Sequence, residues 1–299
     1  MIIKGKQKKP FAIIVAGQPG TGMTTFASHA PDPIFIPTEV TDEADVDRFP
    51  IAKSYQELIS NLKSPEVKNY KTVVIDAIDG VETLMHRYLL ENDPKKAKTA
   101  NSAYGGYGQF YNEAQKLFEE DIKSTLSDLR ENHGLHVIIT AHTYKKLEVD
   151  PIAGISYDTV QLNLHQKAQS VLVDWVSAVM FASHVSVKAE TEGKGSFAVG
   201  TGERVLYTES RPGFVVAKNR YNLPFEMPLD FNAFFDAYND FYLNKKRSID
   251  EILTGINGLL LSVSDEELLA KVNEAIKASN NDLDKLLRIE EKLKIRVRG

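Results

Sequence analysis

Short apolar runs punctuate the first two-thirds of the chain, and stretches of helical periodicity separate them. Phe11-Ala12-Ile13-Ile14-Val15-Ala16 is the first run. It is apolar at consecutive positions, as a strand covered on both faces must be. Ile34 to Pro37, Thr72 to Asp76, His136 to Ala141 and Val176 to Ala182 repeat the pattern. Between them, Thr24 to Ala30, Tyr55 to Leu62, Gly80 to Asn92, Tyr107 to Asn132 and Asn163 to Asp174 read as helices. The helix at Tyr107 to Asn132 gathers Phe110, Ala114, Leu117, Ile122, Leu126 and Leu129 on its apolar face. Pro31 and Pro33 stop the first helix. Strands alternating with helices predict an α/β fold with a mostly parallel sheet flanked by helices.

The texture changes from Val185 to Lys218. Short alternating strands with turns at Gly193-Lys194-Gly195 and Arg211-Pro212-Gly213 predict antiparallel hairpins late in the core. From Asp230 onward the pattern is helical. Ser248 to Gly299 reads as a small helical appendage, with Ser264-Asp265-Glu266-Glu267 as a helix start. The expected organisation is a core over residues 1–244 and a C-terminal helical segment over 245–299.

Composition narrows the picture in three ways. The chain of 299 residues is long enough for one large α/β domain with an appendage. It has no cysteine, which excludes disulfides and thiolate metal sites and fits a reducing, cytoplasmic setting. No run approaches the roughly 20 apolar residues of a membrane span. The net charge of −5 does not advertise nucleic-acid binding, but the distribution is uneven. Both ends are basic, through Lys4, Lys6, Lys8 and Lys9 and through Lys285, Arg288, Lys292, Lys294, Arg296 and Arg298, whereas Glu39 to Asp47 holds five acids. Each run reads first as solvated surface.

The chemistry concentrates after the first strand. Gly17-Gln18-Pro19-Gly20-Thr21-Gly22-Met23-Thr24-Thr25 has the spacing of the phosphate-binding pattern G-x-x-x-x-G-K-[ST], with Met23 where the lysine belongs. Strand, glycine-rich loop and helix aim backbone N–H groups at phosphates. Thr24 would place its hydroxyl on Mg²⁺. Three other strand ends would meet this loop at the carboxyl edge of the sheet. Asp76 follows Val73-Val74-Ile75 as a Mg²⁺-contacting acid would. Glu39 could polarise a water for attack on a γ-phosphate. His142 could sense that phosphate, although a structural histidine fits its position nearly as well.

The order of these elements resembles the RecA-type P-loop ATPase core. Ile34-Phe35-Ile36-Pro37-Thr38-Glu39 resembles the strand that ends in its catalytic glutamate. Val73 to Asp79 resembles its Walker B strand, and Phe214 to Phe225 the segment whose basic residues, here Lys218 and Arg220, reach the neighbouring subunit's ATP. With Tyr104-Gly105-Gly106-Tyr107-Gly108 and the Lys-Asn-Arg-Tyr element, the layout looks most like phage-encoded Sak-type RecA-like ATPases, over roughly residues 10 to 232.

The resemblance implies ATP and Mg²⁺ as cofactors, ATP held between subunits of a filament or ring, and action in phage recombination through single-stranded DNA binding and annealing. Partners would be single-stranded DNA, further copies of the chain and a single-strand DNA-binding protein, in the host cytoplasm. By position, the mobile DNA-facing loops of such proteins correspond to Pro94 to Tyr111 and Tyr144 to Leu162. Lys95, Lys96, Lys98, Tyr104, Tyr107, Tyr144, Lys145 and Lys146 supply charge and stacking surfaces there.

Met23 lacks the charge that neutralises phosphates during transfer, which implies weak or no ATP hydrolysis by this chain. Two other readings stand beside this one. The first is a non-catalytic nucleotide- or DNA-binding scaffold. The second is a packaging or helicase-loading ATPase of the AAA+ class, whose loop Gly-Gln-Pro-Gly-Thr-Gly also resembles. That class usually follows the Walker B aspartate with glutamate; here Ala77 follows Asp76.

Overall fold

The computed structural model describes residues 2, 5–42, 44–149, 154, 156–191, 195–209, 217–243, 249–260 and 266–297. In chain order its elements are β1 (Ala12–Gly17), α1 (Met23–Ser28), β2 (Pro33–Pro37), β3 (Asp47–Arg48), α2 (Tyr55–Leu62), β4 (Thr72–Asp76), α3 (Ile78–Glu91), α4 (Gln109–Leu117) and α5 (Ser124–Glu131). There follow β5 (His136–Val149), β6 (Ser156–Leu162), α6 (Gln166–Trp175), β7 (Ala178–Thr191), β8 (Gly195–Tyr207), β9 (Lys218–Asn219), β10 (Glu226–Pro228) and α7 (Phe231–Leu243). Helices α8 (Ile249–Leu260), α9 (Glu266–Ala278) and α10 (Leu283–Val297) close the chain.

The sheet runs β10-β8-β7-β1-β5-β4-β2-β3, with β6 paired to β5 and β9 to β7. The stretch from β7 to β3 is parallel; β8, β10, β9 and β6 are added antiparallel. The α/β architecture predicted from the sequence is the one observed, including the late antiparallel hairpin of β7 and β8. Because β5 lies between β1 and β4, the carboxyl ends of β1, β5, β4 and β2 share one edge.

Strand alternation explains the uninterrupted apolar runs. Ala12, Ile14 and Ala16 face one core with Ile75, Ile139, Leu58, Met85 and Phe118. Phe11, Ile13 and Val15 face the other, with Phe26, Phe231, Phe234 and Tyr238. Both faces are covered, so every position must be apolar.

Local signals fix the elements. Ser54 caps α2, its hydroxyl accepting from Glu57 N at 3.2 Å, while the Glu57 carboxylate accepts from Lys53 N at 2.9 Å. The long helix expected over Tyr107 to Asn132 is α4 and α5 joined by a π-turn over Phe118–Lys123. Phe118, not Leu117, is the buried residue there. The core positions Phe110, Ala114, Phe118, Ile122 and Leu126 fall at steps of four. In an α-helix each such step drifts about 40° around the axis, so four of them would leave the core. The π-turn takes up the drift.

Several boundaries differ from the sequence reading: α1 is Met23–Ser28, and β7 runs from Ala178 to Thr191 where a strand over Val176 to Ala182 was expected. Helix α3 begins at Ile78, α6 begins at Gln166 behind the cap His165, and β5 does not stop at His142. Strand β5 continues to Val149 and pairs with β6, so the loop expected over Tyr144 to Leu162 is a β-hairpin in its described part. The turns expected at residues 193–194 and 211–213, the first part of the segment over 214–225 (residues 214–216) and the helix start at 264–265 lie outside the described residues.

The chain divides into two compact units, Met1–Tyr242 and Leu243–Gly299. In the second, α8, α9 and α10 enclose Ile252, Ile256, Val272, Leu286 and Leu293. Among the described residues no helix is long and apolar enough to cross a membrane.

Candidate nucleotide site

The loop after β1 is closed by its own residues. The Thr21 hydroxyl and amide both donate to Gln18 O, at 2.8 and 3.2 Å, and Thr21 is buried. A Cβ on Gly17 would stand 2.7 Å from the Thr21 hydroxyl, so only glycine fits. Gly20 and Gly22 hold positive φ of 81° and 99°, which turns the chain tightly into α1. No side chain caps α1, and its opening amides have no intrahelical partner. They are donors suited to phosphate oxygens.

Thr24 leaves the start of α1 toward β4. Its hydroxyl donates to Asp76 Oδ2 at 2.9 Å. Thr140, in the intervening strand β5, donates to Asp76 Oδ1 and is fully buried. Asp76 is itself buried at the end of β4. A buried carboxylate between two hydroxyls is held in a single orientation, with Thr24 beside it as the second oxygen a Mg²⁺ would require.

Next to Asp76 the sheet edge is locked by Thr38. Its amide donates to Asp76 O at 2.8 Å, its hydroxyl donates to Ala77 O at 2.8 Å and accepts from Ala77 N at 3.0 Å. The Asp76–Ala77 peptide is cis. Gly80 approaches so closely that a Cβ there would lie 2.1 Å from the Thr38 hydroxyl.

Glu39, Asp79 and His142 form a second group on the same edge. The His142 amide donates to Asp79 Oδ1 at 3.1 Å, and Nδ1 meets Asp79 Oδ2 at 2.9 Å. Nε2 of His142 stands 3.7 Å from Glu39 Oε1. The hydrogen bond that the ring donates to Asp79, then the charges of Asp79, Glu39 and Asp76, raise the His142 pKa above its ordinary value. Burial alone would raise Asp79, but the bonds from His142 hold it below the usual carboxylate range. Burial raises the Glu39 pKa, and Asp76 and Asp79 add to the rise against the pull of His142.

Met23 does not share this environment. It is 6% exposed and packs in the core with Phe26, Ala27 and Phe231. Its side chain is a hydrophobic anchor for α1.

Other sequence candidates lie elsewhere. Lys218 and Arg220 sit at the opposite edge of the sheet, where β9 pairs with the start of β7. The Lys218 ammonium donates to Val173 O and Asp174 O at 2.6 and 2.9 Å, closing the carboxyl end of α6. Arg220 is exposed. Neither is placed to meet this chain's own loop. Lys95, Lys96 and Lys98 are exposed, and Tyr107 is fully so. Tyr104 is turned inward as a packing residue: its hydroxyl donates to Leu89 O at 3.1 Å and its amide to Asp93 Oδ1 at 2.6 Å. In the hairpin, Tyr144, Lys145 and Lys146 are exposed, with Lys146 paired to Glu148 at 3.0 Å.

Sequence reasoning passed over Thr38, Asp79, Thr140 and Asp93. Asp79 stood within the Walker B stretch, three residues past Asp76, and its position at the start of the following helix was the signal available. Thr140 was legible only as the polar position in an apolar strand.

The AAA domain family matches residues 9–221 of the chain. Among solved structures, the flagellar accessory protein FlaH from Methanocaldococcus jannaschii is similar at 10% identity and a TM-score of 0.34, over 70% of this chain and 90% of that one. No curated protein matches.

Proposed function

We propose, from the premise that this chain belongs to the AAA domain family and is a nucleotide-binding P-loop protein, that it is an ATP- and Mg²⁺-dependent DNA recombination protein of the phage-encoded Sak-type RecA-like kind. The observation that carries the reading is the bond from Thr24 to Asp76, a loop hydroxyl and a buried strand-end carboxylate side by side. Thr24 and Asp76 would hold the Mg²⁺, which would neutralise charge on the phosphates. The amides of the loop would bind the β- and γ-phosphates.

Glu39 is the group to orient and deprotonate an attacking water, since a carboxylate of raised pKa is the stronger base. His142, gripped by Asp79, faces Glu39 and holds it in place. The glutamate follows β2, which lies beside β4, as in the RecA arrangement; Ala77 leaves the position after Asp76 without a carboxylate. Lys218 and Arg220, at the far edge, would act only on a neighbour's nucleotide, so assembly through that edge is part of the proposal. Single-stranded DNA would meet Lys95, Lys96, Lys98, Tyr107, Tyr144, Lys145 and Lys146, and annealing would follow from assembly along it.

With no cation on residue 23, turnover is expected to be slow. The buried position of Met23 favours a second reading, a scaffold that binds nucleotide and DNA without turnover. A mobility shift with single- and double-stranded DNA, with and without ATP, tests the function. ATP-dependent retention of single strands is expected; identical shifts with and without ATP would remove the nucleotide from the mechanism. Phosphate release by the Met23→Lys variant separates the two readings. A gain supports an ATPase, and none supports the scaffold.

A further inference from the structure

The loop lacks its own cation, yet a cation reaches it from another strand. Arg204 lies in β8, opposite His184 of β7. Leu206 of β8 is opposite Ala182, and Ala182 is opposite Gly17, the first residue of the phosphate loop. Arg204 is two residues beyond Leu206 in the direction of the loop, about 7 Å further along. The register shift in β7–β8 falls between His184 and Ser186, so Arg204 and Leu206 share a sheet face. Leu206 is buried in the core cluster that also holds Met23 and Phe26, so this face is the one that carries α1.

The side-chain position agrees with the register. A Cβ on Gly22 would stand 2.6 Å from Arg204 Nη1 and 3.7 Å from its Cζ, so the guanidinium lies against the residue that precedes Met23. The Arg204 backbone is held on both sides, by the pairing with His184 and by the bond from Leu229 N to Arg204 O at 3.0 Å. Among the described residues its side chain forms no hydrogen bond or ion pair, and it is exposed. A guanidinium lying beside a glycine-rich loop, with no carboxylate partner among the described residues, is suited by its chemistry to phosphate. Gly22 is glycine for two reasons, its φ of 99° and the space this group occupies.

We propose that Arg204 binds the phosphates of the nucleotide in cis, supplying from β8 the positive charge that Met23 does not. The ligand class is a nucleoside polyphosphate, and the proposal rests on the reading of the loop given above. It makes the site a relocated one, with the lysine's place given over to core packing and its charge moved to a neighbouring strand.

The test is titration of the full chain with a fluorescent N-methylanthraniloyl ATP and Mg²⁺, with tripolyphosphate and adenosine as competitors. Arg204→Ala is expected to weaken binding of the ATP analogue and of tripolyphosphate about 10- to 100-fold and to leave adenosine competition unchanged. Arg204→Lys should recover part of the loss. Met23→Lys should improve binding more in the Arg204→Ala background than in the wild type, because two cations serving one phosphate group are partly redundant. Wild-type affinity in Arg204→Ala and Arg204→Gln would overturn the assignment and leave the nucleotide site standing. Equal losses for adenosine and tripolyphosphate would also overturn it, as the mark of a loop-supporting residue. A wild-type chain that binds no nucleotide would overturn the reading of the loop and this proposal together.

Discussion

Asp79 holds His142 twice, through the backbone amide at 3.1 Å and through ring Nδ1 at 2.9 Å. One carboxylate thereby fixes both the strand end and the direction of the ring. The pairing has a definite pH window. The His142 pKa is raised, so its contribution to stability is full below its unfolded value of 6.5 and is lost as pH rises through the raised value. The Asp79 pKa is lowered, so its contribution is full above 3.8 and is lost as pH falls through the lowered value. The melting-temperature difference between wild type and Asp79→Asn should be largest between about pH 4 and pH 6.5. A difference that does not vary with pH would contradict the ion pair.

His136 sets the acid limit. Its Nδ1 accepts from Phe11 N at 3.0 Å, and its ring stacks on Phe11 at 3.9 Å between centroids. Burial, then the charges of Lys8 and Arg130, push its pKa down to about 4. The unfolded chain therefore takes up this proton first, and stability falls as pH drops from 6.5 toward 4, by on the order of 3 kcal/mol. In His136→Asn the side-chain oxygen can still accept from Phe11 N. Denaturant unfolding of that variant should show a flatter slope over the same range.

Gly80→Ala is expected to be among the most damaging small substitutions in the chain. The added methyl would lie 2.1 Å from the Thr38 hydroxyl, which is tied to both sides of Ala77. A loss of roughly 1–3 kcal/mol is expected from such overpacking, with weaker Mg²⁺-dependent nucleotide binding because Asp76 adjoins the displaced backbone. Chemical denaturation reads the first effect and nucleotide titration the second.

Two tyrosines of one loop should behave oppositely. Tyr107 is fully exposed and Tyr104 is bonded to Leu89 O. Tyr107→Ser should leave melting unchanged and weaken single-stranded DNA binding by roughly 1–3 kcal/mol if a base stacks there. Tyr104→Phe should lower the melting temperature with little direct effect on DNA. Fluorescence anisotropy with an oligonucleotide and thermal melting distinguish the two.

In a Met23→Lys background, Glu39→Gln should lower the rate of phosphate release about 10²- to 10⁴-fold while nucleotide affinity stays within a few-fold. Unchanged kcat would assign the base to another residue.

The sequence made the sheet legible because both faces of each central strand are covered, which leaves uninterrupted apolar runs such as Phe11 to Ala16. The loop, Thr24 and Asp76 were legible because phosphate and Mg²⁺ chemistry demands fixed residue types at fixed spacing. Thr38, Thr140 and Arg204 were not, because their roles depend on which strands adjoin, and register is not written in any local pattern. The inward turn of Tyr104 follows from Asp93, which accepts from the amides of Lys95, Ala97 and Tyr104 and has its pKa lowered by those bonds. A glycine- and tyrosine-rich stretch gives no sign of which ring such an anchor will bury. Met23 read as a missing charge in the sequence, and its burial adds a second role, as part of the floor under α1.

Strand β5 leaves the sheet edge at His142 and runs without a break to Val149, stiffened by its pairing with β6. Those seven residues span about 23 Å. The strand is thus a rod with one end among the acids of the edge and the other out in solvent. A tilt of 5° at His142 would carry the far end about 2 Å. The direction of the hairpin is therefore set by the same backbone that carries His142 in among the acids of the edge, because one stretch of strand belongs to both places.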